Sequence, residues 1–140
     1  MRRFLVLWMV LSPLMAGQTK PQRTMTQEKM CADQARKAFA EFYGWKKNGK
    51  DYIFTSHYDA QTTTCYIWVH GVTGSEGHTD VMEDVFDAFE NRTYAYYLKF
   101  MDTGRVMECY IRPREKKEIP CSDVNEFDEL VDKYFGVGRD

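Results

Sequence analysis

The chain is expected to fold as an α+β domain: an antiparallel sheet of two hairpins packed by amphipathic helices, in the order α-β-β-α-β-β-α, closed by two disulfides. Three observations point there. Residues 63–70 alternate, with Cys65, Ile67 and Val69 on one face and Tyr66, Trp68 and His70 on the other, as a half-buried strand does. Phe127, Leu130, Val131, Tyr134 and Phe135 recur at i, i+3, i+4, i+7 and i+8, the stripe of a helix docked on a core. Four cysteines follow an export-type leader, and an even count in an oxidising compartment reads as disulfides.

The leader is residues 1–17. Arg2 and Arg3 form a positive n-region, Phe4 to Leu11 an apolar core, and Ala16 and Gly17 offer small residues for cleavage. The core falls short of the ~20 apolar residues of a bilayer-spanning helix, so the expectation is export with no membrane association after cleavage; an uncleaved anchor is the alternative. Loss of Arg2 and Arg3 lowers the basic count from 19 to 17 against 21 acidic residues, so net charge moves from −2 to −4. Such a domain has no broad basic field for nucleic acid. The cluster Arg112, Arg114, Lys116 and Lys117 reads as a solvated loop.

Residues 18–25 read as a flexible leader and residues 26–137 as a single domain. The first helix begins after Thr24 or Thr26, because Thr24 and Gln27 have capping-box spacing; Cys31, Ala35, Ala38, Phe39 and Phe42 form its apolar stripe, and Gly44 ends it. Residues 51–58 and 63–70 make the first hairpin, linked by residues 59–62, with the glycine-rich residues 71–77 as a mobile turn. A second helix is expected over residues 81–90, with Asp80 and Glu83 at capping-box spacing, Val81, Val85, Phe86 and Phe89 inward, and Asp80, Glu83, Asp84 and Asp87 on a solvated face. Strands near 93–100 and 105–112 form the second hairpin around the turn 101–104. They place Tyr94, Tyr96 and Phe100 on one face and Tyr97 on the other. The last helix starts at Ser122 or Asp123 and is capped by Gly136.

Cys31, Cys65, Cys109 and Cys121 allow three pairings, and no C-x-x-C pair suggests zinc or a redox site. Cys31 lies on the helix stripe and Cys65 on the Ile67/Val69 face; Cys109 ends a strand, and Cys121 returns across a proline-flanked loop. The preferred pairing is therefore Cys31–Cys65 with Cys109–Cys121. A Cys65–Cys109 bridge across adjacent strands is the competitor.

Chemistry is harder to find. His57, His70 and His78 are 13 and 8 residues apart and fit no compact metal motif; a His70/His78 pair across the glycine turn, with Asp80 nearby, is the most pointed zinc hypothesis. No metal or other cofactor is expected. Ser56-His57-Tyr58-Asp59 contains the residue types of a hydrolytic triad, but neighbouring strand residues face opposite ways, so no catalytic residue is assigned. Asn91-Arg92-Thr93 is a formal glycosylation sequon. Aromatic residues make up 15% of the chain, more than helices on one sheet face would cover, so the Tyr66/Trp68/His70 face is the candidate binding surface.

The chain resembles a group of small uncharacterised exported bacterial proteins at Cys31-Ala32-Asp33-Gln34-Ala35, at Ser56-His57-Tyr58-Asp59-Ala60 running on to Cys65-Tyr66, at Val85-Phe86-Asp87-Ala88-Phe89-Glu90, and at Glu126-Phe127-Asp128-Glu129-Leu130. The resemblance implies export and disulfides and carries no activity; the group commonly has Asn where Ser56 stands, which argues against Ser56 as a nucleophile. The expected function is a secreted or periplasmic binding module for a protein, glycan or small molecule. The alternatives are a hydrolase-like enzyme with a dispersed active site and a secreted inhibitor of a hydrolase. A pocket collecting His57 or His70 with a carboxylate would favour the enzyme; a flat aromatic patch would favour binding.

Overall fold

The computed structural model describes residues 24–44, 50–75 and 78–137. The expected export signal, residues 1–17, and all of the expected leader except Thr24 and Met25 lie outside them. The described chain runs α1 (Met25–Phe42), β1 (Lys50–Asp59), β2 (Thr64–Ser75), β3 (His78–Asp87), β4 (Thr93–Phe100), β5 (Val106–Ile111), β6 (Ile119–Pro120) and α2 (Val124–Phe135). The six strands form one antiparallel meander in sequence order. No described helix is long and apolar enough to cross a membrane.

α1 starts where its capping box predicts. The Thr24 side chain accepts from the Gln27 amide, and the Gln27 side chain accepts from the Thr24 amide. Its buried face is small (Cys31, Ala35, Ala38), so the helix lies close against Cys65, Ile67, Val69, Met82 and Phe86. α2 has Asp123 as N-cap, accepting from the Asn125 and Glu126 amides, and ends at Gly136 in the left-handed conformation, φ 61°. It buries Phe127, Val131 and Phe135 against Tyr66, Trp68, Val85, Tyr94 and Tyr97. Because successive strand residues face opposite ways, α1 on Cys65/Ile67/Val69 and α2 on Tyr66/Trp68 lie on opposite sides of the sheet.

Residues 78–87 correct the expected second helix: they are the central strand β3. Val81, Val85 and Phe89 fit a helical stripe, but a spacing of four is also a multiple of the strand period of two. Helices cover both faces, so β3 is apolar on both, with Met82 and Phe86 toward α1 and Val85 toward α2. The expected solvated acidic face is likewise corrected, since Glu83 and Asp87 are buried. Phe89, expected inward, lies exposed in the β3–β4 turn.

The expected mobile turn at residues 71–77 is corrected too. Residues 71–75 continue β2, paired as far as Ser75 with His78. Gly71 is required here: a Cβ would fall 2.2 Å from the Tyr52 ring of β1, which packs over its backbone. The tyrosines of β4 also differ from simple alternation. Val85 pairs with Ala95 and Phe86 with Thr93, leaving Tyr94 as the bulged residue. The bulge turns Tyr94 to the α2 side, with Tyr97, while Tyr96 packs toward α1.

Disulfides join Cys31 to Cys65 and Cys109 to Cys121, the preferred pairing. The first fastens α1 to β2, and the second closes the segment that brings β6 and α2 back to β5. The cations of residues 112–116 are engaged with aromatic rings and carboxylates. Arg112 pairs with Glu118 at 2.6 Å and covers Tyr110, Arg114 donates to the Tyr94 hydroxyl at 3.0 Å, and Lys116 lies 4.9 Å from the Tyr134 ring.

At the α1 C-terminus the Tyr43 hydroxyl donates to Asp84 Oδ2 at 2.6 Å. Burial, and then the adjacent Asp84 carboxylate, push the Tyr43 phenol well above its ordinary range; the same two causes push Tyr96 up to about 12. A folded-state value raised above the unfolded ~10 means stability intact below that pH and lost as pH climbs through the folded value. For Tyr96 that window is roughly pH 10–12. Alkaline titration at 295 nm should show Tyr43 and Tyr96 ionising only as far-UV structure collapses. Ionisation of all nine tyrosines near pH 10 in a folded chain would contradict this.

Candidate functional site

A helix is about 10–12 Å across, whereas a six-stranded sheet spans about 24 Å between its outer strands. α2 alone therefore leaves part of its face bare. It lies over the Val85/Ala95 region, with Phe127 against Trp68 and Tyr97 and Phe135 against Tyr66 and Tyr94. The bare part is the end of the face where Ile53, His70 and Glu83 pair side by side across β1, β2 and β3. A cleft of about 700 Å³ sits there.

Its floor comes from alternate residues of three strands: Asp51, Ile53, Thr55 and His57 of β1, Trp68, His70 and Val72 of β2, Val81 and Glu83 of β3. Gly136 and Val137, just after α2, form the wall near His57. A Cβ on Gly136 would come within 3.8 Å of His57 Nε2, so the left-handed cap also keeps this wall thin. Ile53 and Val72 are 69% and 47% exposed, so the apolar lining is open to solvent.

The polar centre is a buried carboxylate. Glu83 is 2% exposed; its Oε2 accepts from Trp68 Nε1 at 2.9 Å and lies 3.2 Å from His70 Nδ1. An ionised carboxylate only accepts, so this contact places a proton on Nδ1 and leaves Nε2 as the ring nitrogen that Glu83 does not engage. The His70 ring also packs on Trp68, with centroids 4.7 Å apart. The same carboxylate acts on its other neighbour: burial first, then Glu83, raise the Tyr97 phenol above its ordinary value. His57 lies four residues from Ile53, the partner of His70, which puts the two histidines roughly 13 Å apart along the strands.

The expected binding surface is thus partly corrected. Tyr66 and Trp68 are 2% and 1% exposed, because α2 covers them; only His70 of the three keeps substantial access to solvent. Trp68 still lines the cleft, as its inner edge. The His70/His78 zinc pair is corrected as well. His70 pairs with Glu83 and His78 with Ser75, five residues further along β2, a separation of roughly 17 Å. The His78 side chain lies outside the described residues, and among those residues no group of three potential ligands could hold a metal. Neither Thr55 nor Ser56 hydrogen-bonds His70 among the described residues, although both border the cleft. Glu83 is the residue that sequence reasoning missed. Flanked at two-residue spacing by Val81 and Val85, it carries the signal of a carboxylate on a buried strand face, which the helical reading concealed.

No protein-family model, curated protein or solved structure matches this chain.

Proposed function

We propose that this chain is an exported, disulfide-stabilised module that binds a small organic molecule in the cleft over β1–β3. One observation carries the reading: an apolar, solvent-open cleft whose floor holds a fully buried carboxylate steering a histidine. Ligand sites are typically apolar concavities of this volume with a few convergent polar groups. The two disulfides fit an oxidising compartment. A macromolecular partner docking on Tyr66 and Trp68 has lost its main support, since both rings are covered.

The test is a fragment screen followed by ¹H–¹⁵N spectra. Shifts should gather on Thr55, His70 and the Trp68 indole N–H, and Val72→Arg, which changes an exposed side chain of the cleft, should weaken the hits at least tenfold. Hits that ignore Val72→Arg, or that map elsewhere, would overturn the proposal.

The His70–Glu83 pair favours one second reading, general-base catalysis on a bound ester or amide. Nε2 would take a proton from an attacking water and return it to the leaving group. The pocket criterion set out from the sequence points this way, but no hydroxyl is hydrogen-bonded to His70 as a ready nucleophile among the described residues. In that case His70→Ala should lower p-nitrophenyl ester turnover about 10²–10⁴-fold. Wild-type turnover no faster than buffer would dispose of the enzyme.

A further inference from the structure

We infer that Cys109–Cys121 is a site of thiol–disulfide exchange, opened by a dithiol while the rest of the fold stays assembled. The other bridge, Cys31–Cys65, resists the same reductant. This holds whatever the cleft binds.

The two bridges differ in what covers them. Cys31 and Cys65 are 2% and 0% exposed, enclosed between α1 and β2, and Thr64 and Tyr66 on either side of Cys65 are buried as well. Exchange needs a thiolate to reach a sulfur, so this bridge reacts only once α1 has lifted away. Cys109 and Cys121 are half-buried and lie where β5 meets the outermost strand, β6. Their chain neighbours Glu108, Pro120 and Ser122 are exposed.

The bridges also differ in what survives their loss. β6 is two residues long, pairing Pro120 with Tyr110 and Ile119 with Ile111, and Pro120 has no amide to donate. Beside that ladder, the Cys121 amide donates to the Cys109 carbonyl at 3.1 Å. The loop before it is held by the exposed Arg112–Glu118 pair, by Arg114 on the Tyr94 hydroxyl and by Ile119 against the core. Surface pairs and single hydrogen bonds of this kind contribute little each. α2 does not depend on the bridge: Asp123 caps it, and Phe127, Val131 and Phe135 anchor it. Opening the bridge therefore frees residues 112–121 and uncovers the outer edge of β5, with α2 still seated.

The reaction balances with a dithiol alone. One of its thiolates attacks a sulfur of the bridge, and the other cysteine leaves as a thiolate. The second thiol then displaces the first cysteine and closes a disulfide within the reductant. Two electrons and two protons pass to the protein, which ends with two free thiols.

The test treats the oxidised protein with dithiothreitol, quenches with iodoacetamide and maps the modified cysteines by mass spectrometry. Cys109 and Cys121 should be alkylated at least tenfold faster than Cys31 and Cys65, while the Trp68 indole resonance keeps its native position. Hydrogen exchange should accelerate across residues 109–121 and stay slow in α2. The double variant Cys109→Ser/Cys121→Ser should show the same exchange pattern without reductant. Equal rates at the two bridges, or a Cys31–Cys65 bridge that opens first, would overturn the inference. So would loss of the native Trp68 resonance as Cys109–Cys121 opens, because reduction would then follow global unfolding. Slow exchange across residues 109–121 in the reduced protein and in the double variant would overturn the release of the β5 edge.

Discussion

Replacing Trp68 with alanine is expected to destabilise the domain by about 3–5 kcal/mol, the range for a large aromatic truncated in a packed core. Trp68 is 1% exposed, sits at the junction of β2 and α2 with its ring 6.4 Å from Phe127, and donates its indole N–H to Glu83. The substitution removes the ring's contacts and withdraws a donor from a buried carboxylate, which adds about 1–3 kcal/mol where the group is left unsatisfied. The two losses share one site and will not simply add. Trp68→Phe separates them, keeping most of the apolar volume and removing only the N–H. Urea unfolding should show the midpoint falling steeply for alanine and modestly for phenylalanine. An alanine variant that loses under ~1 kcal/mol would contradict the burial of this ring.

Removing the Cys31–Cys65 bridge is expected to cost about 4 kcal/mol, and removing Cys109–Cys121 about 3, from the loop entropy each withdraws from the unfolded chain. The ordering follows from sequence separations of 34 and 12. What else holds each helix widens the contrast. α2 is anchored by Phe127, Val131 and Phe135, whereas the fully buried face of α1 consists only of Cys31, Ala35 and Ala38. Small side chains allow close approach but bury little apolar area, so α1 leans on its covalent tie and on the flanking rings of Phe39 and Phe42. Paired Cys→Ala variants compared by urea unfolding test the ordering. Hydrogen exchange should show α1 amides opening first when Cys31–Cys65 is absent. The opposite order would mean that packing, not the crosslink, holds α1.

The legible and illegible parts of this fold divide by the range of the interactions that decide them. Thr24 with Gln27 marked the start of α1, and Gly136 the end of α2, because caps involve neighbours in sequence. The preferred cysteine pairing followed from which face each cysteine occupies on its own element. The β3 segment could not be read locally: Val81, Val85 and Phe89 satisfy helix and strand periods alike, and the choice came from β2 and β4, which pair with it on both edges. The candidate site failed to appear for the same reason. With residues 81–90 taken as helical, Glu83 belongs to a wet surface; as a strand residue it lies opposite His70 and Tyr97 at the floor of a cleft.

The sequence by itself determined the α+β class, both terminal helices with their caps, the first hairpin, and a cysteine placement that favours the two bridges found here. Each is set by periodicity, by capping chemistry, or by residues a short way apart on one element. The tertiary structure alone decided that helices flank both sheet faces, that Tyr66 and Trp68 are core and not surface, and that His70 and Glu83 form a pair. Those outcomes depend on how much sheet one helix can cover and on which strands lie side by side, and neither quantity is carried by any local stretch of chain.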